Sequence, residues 1–364
     1  MPVRPFTEDD VPQVADLYWT VFRKHTGSSP VEVRSAIHEL YFRNPWIDRS
    51  QPSLVFDDRG RITGFLGVVP RRMCLDGQSI VTACGGNFAV HPDFRTSMAG
   101  LHLLKTYMSA GQDISLTDSA NDVSRALLER LGFTTIVAFS VHWVRVLRPA
   151  RFAAFALSRM AANSAVSLMT WAARPICAVV DGLAGRVSFS PFFQSESCLD
   201  AAELDAETLL ACQREFRNGY SLWSEYDATS LTWLLNFMTR MKRYGDELRK
   251  VVLRDHSGQI VGSYIYWATP GGLGEVVQIG GDRRNVKNIL DHLFHDALSN
   301  DVVALRGIAN HHWMADFSEK NCFFSCRGGW MVAHSRKPGC LAPLSGGDAY
   351  LSRLDGEWCL ALGA

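Results

Sequence analysis

Neither sign of charge is in excess in this 364-residue chain: 37 Lys and Arg stand against 37 Asp and Glu. That balance argues against a protein that holds nucleic acid by bulk electrostatics, although it leaves local patches open. Long apolar runs are missing too. The most lipid-like stretch, Met160 to Ala173, is closed off by Arg159 and Arg174 and is too short to cross ~30 Å of hydrocarbon. The opening Met1-Pro2-Val3-Arg4-Pro5-Phe6-Thr7 lacks the apolar core and cleavage site of a secretory signal. The nine cysteines are an odd, scattered set and read as reduced thiols, so a cytoplasmic location is expected. The chain has no Gly-x-x-x-x-Gly-Lys-Ser/Thr loop, no His-Glu-x-x-His and no Gly-x-Ser-x-Gly.

What is present is material for real cores. Hydrophobic residues make up 47% and charged residues 20%, which excludes a disordered chain, and the length suits two domains. Val3 to Phe6 reads as a strand, and Thr7 opens an acidic helix start. A second amphipathic helix covers Pro30 to Phe42. Three strand-like runs follow: Ser53 to Phe56, Ile62 to Val69 and Ile80 to Val90, with turns at Asp57–Gly60 and Asp76-Gly77. Residues 98 to 109 are helical, with Leu101, Leu104 and Met108 on one face. Ile114 to Thr117 is a strand, Asn121 to Leu131 a helix, and Thr134 to Val146 one long strand. After an apolar helical stretch, residues 203 to 336 repeat this order of elements with almost no residue identity, which predicts an internal duplication. The expected domains are 1–150 and 201–340, joined by an apolar helical linker at 151–200 and followed by a tail at 341–364.

One junction carries chemistry. Strand 80–90 runs through Val90-His91-Pro92-Asp93-Phe94 into Arg95-Thr96-Ser97-Met98-Ala99-Gly100-Leu101. A helix N-terminus offers unpaired backbone N–H groups and the positive end of the helix dipole, which together cradle a pyrophosphate. Ala99 and Gly100 allow close approach, and Arg95 can cap the phosphate charge. Further on, residues 121 to 133 read Asn-Asp-Val-Ser-Arg-Ala-Leu-Leu-Glu-Arg-Leu-Gly-Phe.

Together these two segments resemble the GCN5-related N-acetyltransferase superfamily, whose loop is Arg/Gln-x-x-Gly-x-Gly/Ala and whose later helix often reads Asn-x-x-Ala-x-x-Leu-Tyr-Glu-x-Leu-Gly-Phe. Arg95 and Gly100 fill the loop's first and last positions, and Met98 replaces its middle glycine. Asn121, Leu127, Glu129, Leu131, Gly132 and Phe133 fit the helix. The resemblance covers residues 1 to 150 and implies an α/β fold of tandem acyl-CoA N-acyltransferase-like domains, with mixed, mostly antiparallel splayed sheets flanked by helices. It implies acetyl-CoA or another acyl-CoA as cosubstrate, no metal, and transfer of the acyl group to the amine of a small molecule. The cofactor would lie against Phe88, Ala89, Val90, Arg95, Thr96, Ser97, Met98, Ala99, Gly100, Leu101 and Asn121. By resemblance the strand Asn87-Phe88-Ala89-Val90 pairs with the pantetheine arm.

Leu128 stands where the family places the tyrosine that protonates the leaving thiolate, and leucine has no proton to give. Asp118, Ser119 and Tyr107 are the nearest candidate donors. Asp118 and Asn87 are candidates for the base. The catalytic set expected from sequence is therefore Asp118, Ser119 and Asn121, with Asp118 alternatively capping the helix that starts near Asn121. Two other readings stand beside this one. Leu128 and Met98 suit a CoA-binding or scaffold protein without catalysis. Tandem-domain aminoacyl transferases that use charged tRNA are the other, and the zero net charge counts against them. His311-His312-x-x-x-Asp316 reads as a helix start capped by Asn310 rather than a catalytic histidine. Cys322-Phe-Phe-Ser-Cys326 reads as a buried hairpin rather than a zinc site. Residues 152–173, whose flanks carry arginines, read first as a core or interdomain helix and second as a weak membrane-interface contact lying in the plane of a bilayer surface.

Overall fold

The structure is a computed structural model that describes residues 2–22, 29–160, 173–195, 197–242 and 244–362. Along the chain the described strands are β1 (Val3–Pro5), β2 (Leu54–Asp58), β3 (Arg61–Leu75), β4 (Gln78–Val90), β5 (Ile114–Ala120), β6 (Thr134–Thr135), β7 (His142–Val146), β8 (Asp200–Glu203), β9 (Leu222–Ser224), β10 (Glu247–Arg254), β11 (Ile260–Ala268), β12 (Leu273–Gly281), β13 (Ala304–Ile308), β14 (Phe323–Ser325), β15 (Trp330–His334) and β16 (Ala349–Tyr350). The described α-helices are α1 (Val11–Phe22), α2 (Pro30–Phe42), α3 (Ala99–Met108), α4 (Asp122–Arg130), α5 (Pro149–Met160), α6 (Arg174–Arg186), α7 (Ala206–Phe216), α8 (Ala228–Met241), α9 (Val286–Ser299), α10 (Met314–Glu319) and α11 (Ala342–Gly346).

These elements form two compact units. One comprises residues 1–140, 217–243 and 328–364; the other comprises 141–216 and 244–327. They are not the contiguous blocks 1–150 and 201–340 expected from sequence, and the segment after 340 belongs to the first unit rather than hanging from it as a tail.

The first unit's sheet runs β1-β2-β3-β4-β5-β15-β6, with β9 beside β3 and β16 beside β9. Its main path is antiparallel except for β4 and β5. The β3–β4 hairpin turns at Asp76 and Gly77, both at positive φ (49° and 81°), the conformation a two-residue turn needs and Gly accepts freely. Both strands are longer than their apolar patterns suggested: their mutual pairing runs out to Leu75 and Gln78, and Met73–Leu75 pair with Leu222–Ser224 as well. Leu54, Leu66, Leu103, Leu104, Tyr107, Phe133 and Val332 pack into one core cluster. The buried face of α3 is therefore Leu103, Leu104 and Tyr107, while Leu101 and Met108 are half-buried.

The second unit's sheet runs β14-β7-β13-β12-β11-β10-β8. Its parallel pair is β12 and β13. Read from the other edge, β8, β10, β11, β12, β13, β7 and β14 repeat the order of β1, β2, β3, β4, β5, β15 and β6. Each sheet takes its next-to-last strand from the stretch of sequence expected in the other half. The long strand expected over Thr134–Val146 is correspondingly broken. A 3-10 turn at Val137–Phe139 separates β6 from β7, and the Ser140 hydroxyl fixes the break by donating to the Ile136 carbonyl (2.8 Å) and accepting from the Met331 amide (3.0 Å). A β-branched apolar run specifies a strand but not the sheet that receives it.

The linker forms α5 and α6, which pair with each other; residues 161–172 lie outside the described residues. Among the described residues no helix is long and apolar enough to cross a membrane. Asn310 accepts from the His312 amide (3.0 Å) at the start of the short turn leading into α10. The Cys322–Cys326 segment is not a buried hairpin: Phe323 and Phe324 lie exposed on the edge strand β14. No group of three His, Cys, Asp or Glu side chains is gathered as metal ligands among the described residues.

Candidate functional site

Pairing between β4 and β5 ends at Cys84 and Leu116, and the two strands then part. Tyr107 of α3 fills the fork. Its hydroxyl donates to the Ala83 carbonyl (2.6 Å) and accepts from the Leu116 amide (3.1 Å), so it bridges the two strands at the end of their pairing. Glycine at 85 is required here, since a Cβ would lie 2.9 Å from the Tyr107 ring. Just beyond, β4 bulges. Gly67 faces Gly86 and Phe65 faces Ala89, so Asn87 and Phe88 together oppose Leu66, with Asn87 at φ 50°.

The chain's C-terminal segment enters this fork and is tied down at two points. At the first, the Asp118 carboxylate accepts from the Glu357 and Trp358 amides (2.9 and 3.0 Å). Gly356 makes this approach feasible, because a Cβ there would lie 2.2 Å from the Asp118 carboxyl. At the second, Asn87 accepts from the Leu362 amide (3.1 Å) and donates to the Tyr41 hydroxyl (2.8 Å), while Tyr18 donates to the Leu362 carbonyl. Between these points the buried Glu357 carboxylate accepts from the hydroxyls of Ser119 (2.6 Å) and Thr117. It occupies the space that Gly86 leaves: a Cβ on Gly86 would be 2.6 Å from Glu357 Oε2.

A cavity of about 250 Å³ follows the fork. Its walls include Gly85 to Phe88 of β4, Ser119 of β5, Asn121 and Leu128 at α4, Tyr18 of α1, and Glu357. Burial pushes the Asp118 carboxyl up to about 6, against the pull of its two backbone donors. Burial also holds the Tyr107 hydroxyl far above its ordinary range, so it stays protonated and keeps its bond to Ala83.

Of the residues singled out from sequence, Asn87, Phe88, Tyr107, Ser119 and Asn121 reach the cavity. Asp118 is not among its lining; the carboxylate faces the C-terminal segment instead. Nor does it cap α4. Asn121 does, accepting from the Ser124 amide (2.8 Å). Ala89 and Val90 continue β4. Arg95, Thr96 and Ser97 form the turn after it, and Met98 sits exposed at the helix cap. Ala99, Gly100 and Leu101 make the first turn of α3. Among the described residues, the amides of Thr96, Met98, Gly100 and Leu101 find no protein acceptor. This row of N–H groups adjoins the cavity through Phe88, whose ring would lie 3.2 Å from a Cβ on Gly100. Leu128 lines the cavity and presents only carbon. Glu357 was missed from sequence.

No family sequence model and no curated protein matches the chain. Solved structures do. A probable N-acyltransferase from Enterococcus faecalis V583 superposes with a TM-score of 0.60 at 11% identity, over 92% of this chain and 72% of that one. The chain has the GCN5-related N-acetyltransferase fold. A second structure with this fold, a GCN5-related N-acetyltransferase from Anabaena variabilis, gives a TM-score of 0.57 at 11% identity over 92% of this chain and 72% of that one. Saccharomyces cerevisiae N-myristoyltransferase with bound myristoyl-CoA gives 0.54 at 8% identity over 91% and 77%. These likenesses extend across both units of the GCN5-related N-acetyltransferase fold here, including the half whose sequence shows no motif.

Proposed function

We propose that the protein is an acyl-CoA-dependent N-acyltransferase that acylates the amine of a small molecule at the β4–β5 fork. The observation that carries this reading is the cavity between two diverged parallel strands, bounded by a bulged β4 and by a buried carboxylate. The row of unpaired amides at the start of α3 suits a pyrophosphate, with Arg95 beside it to balance charge. The backbone of Phe88 to Val90 suits the pantetheine arm. When bound, the acyl-CoA supplies an activated thioester carbonyl.

The chain's own residues then have separable tasks. Glu357 accepts a proton from the acceptor amine, which leaves the nitrogen lone pair free to attack. Ser119 and Thr117 hold that carboxylate in place through their hydroxyls. Leu128 gives no proton to the departing sulfur, so Ser119 or water supplies it. Asp118 positions Glu357 through the backbone of the segment that carries it. Acetyl is the acyl unit favoured by the N-acetyltransferases among the similar structures.

Calorimetry with CoA and acetyl-CoA, together with thiol release against a panel of primary amines, tests the proposal. Binding is expected, weakened several-fold by Arg95→Glu, with thiol release dependent on an amine. Failure of every acyl-CoA to bind overturns the reading. Binding without thiol release to any amine favours a CoA-binding protein without catalysis.

A further inference from the structure

The linker helices present a surface that the acyl-transfer site does not use. On α6, Ile176, Val179, Val180 and Leu183 recur at helical spacing and are 68, 64, 46 and 61% exposed. At about 100° per residue they fall within a band ~100° wide, and Asp181 points about 150° away from its centre. Asp181 is the face that packs. It is buried, accepts from the Ala150 amide (2.7 Å) and lies against Arg151. The apolar band therefore faces away from α5. Leu157 on α5 and Phe189 after α6 add 57 and 91% exposed side chains to the same segment.

The charges of this segment have one sign. Between residues 149 and 195, excluding those outside the described set, Arg159, Arg174 and Arg186 are exposed, and the sole acid, Asp181, is buried. The nearby Asp301 is engaged by Arg148 and Arg151 (3.3 and 2.6 Å). An exposed aliphatic band with arginines and no exposed acid is complementary to an apolar layer beneath anionic headgroups. The 13 residues of α6 span about 20 Å, too short to cross a bilayer.

We infer that α6, with Phe189 after it, lies in the plane of an anionic phospholipid surface, with Ile176, Val179, Val180 and Leu183 inserted among the acyl chains. The inference is independent of the chemistry proposed for the fork.

Co-sedimentation of the full chain with phosphatidylcholine vesicles, with and without ~30% phosphatidylserine, tests it. Binding is expected to need phosphatidylserine and to fall at least fivefold on raising salt from about 0.05 M to about 0.5 M. Val179→Gln with Leu183→Gln should weaken it at least tenfold, and so should Arg159→Glu with Arg186→Glu. These positions are exposed, so both variants should keep the parent's circular dichroism. Hydrogen exchange on the unaltered protein gives a second readout, in which residues 174–189 should gain protection only when anionic vesicles are present. Absence of vesicle binding overturns the inference, as does binding unaffected by both double variants. A vesicle-free dimer that the Gln pair converts to monomer would also overturn it, assigning the band to a second copy.

Discussion

Replacing Gly356 with alanine should release the C-terminal segment from the fork. The new Cβ would meet three atoms of the Asp118 carboxyl at 2.2 to 2.4 Å. An ordinary contact is about a full ångström longer, so either the carboxyl or the segment must shift by ~1 Å. Neither can move while keeping the bonds from the Glu357 and Trp358 amides at 2.9 and 3.0 Å. Hydrogen bonds to a charged acceptor contribute ~1.5–3 kcal/mol each, so losing both costs about 3 kcal/mol or more. For a unit of this size that lowers the melting midpoint by roughly 6–12 °C. Gly346→Ala is the matched control. It lies at the end of α11 with nothing within 4 Å of its added Cβ, and should be neutral or stabilising by up to ~1 kcal/mol. Thermal unfolding gives the magnitude and hydrogen exchange gives the place, with lost protection expected at the amides of 357 and 358. If Gly356→Ala leaves both the midpoint and those amides unchanged, Asp118 does not hold the C-terminal segment in the fork.

Other changes probe the same fork. The folded Asp118 carboxyl titrates at about 6, above its unfolded value, so the native state binds the extra proton between about pH 4 and pH 6. Stability should therefore fall as pH rises through that window, by up to ~3 kcal/mol, and urea midpoints of Asp118→Asn should lose most of this slope. Glu357→Gln should cut amine-dependent thiol release by ~100-fold or more with acetyl-CoA binding unchanged in calorimetry; equal turnover would remove Glu357 from the reaction. Leu128→Tyr should raise thiol release by about tenfold, because it places a phenolic hydroxyl at a wall position that now presents only carbon, and unchanged turnover would mean that proton supply does not limit the rate. Tyr107→Phe should cost ~1–3 kcal/mol in denaturant unfolding through the unpaired Ala83 carbonyl and Leu116 amide, while leaving thiol release within a few-fold.

The order of strands and helices was legible because amphipathic spacing and turn residues are local signals. Asp76-Gly77 marked its hairpin, Thr7 and Asn121 marked helix starts, and the pattern of the second half repeated that of the first. Strand destination was not legible. The side chains of His142–Val146 and Trp330–His334 alternate as any strand's would, and what sends each to its sheet is pairing with residues far away in sequence. The site divided along the same line. Asn87, Phe88, Tyr107, Ser119 and Asn121, which line the cavity, could be singled out because they lie in or beside the two segments that carry a motif. Glu357 lies in an aperiodic stretch, Leu354-Asp-Gly-Glu-Trp-Cys-Leu-Ala-Leu362, with no motif. The available signal was indirect: Leu354, Cys359, Leu360 and Leu362 are too apolar for a free tail and are buried. Leu128 and Met98 stood out in the sequence as departures from the motif, but sequence could not say that a carboxylate from elsewhere would stand in the fork.

The placement of β15 between β5 and β6 bears on how this protein is made. A nascent chain that has emerged only as far as β6 has the first sheet's hairpins but a bare seam beside β5, with unsatisfied N–H and C=O groups along it. At ~5–20 residues per second, roughly ten seconds or more separate the synthesis of β5 from that of β15. The strand that fills the seam arrives only after the second unit's own strands have been made. Glu357, which supplies the cavity's carboxylate, arrives later still. Fragments that stop before residue 330 should consequently be chaperone clients, since β6 pairs only with β15 and β5 is left as a bare edge strand.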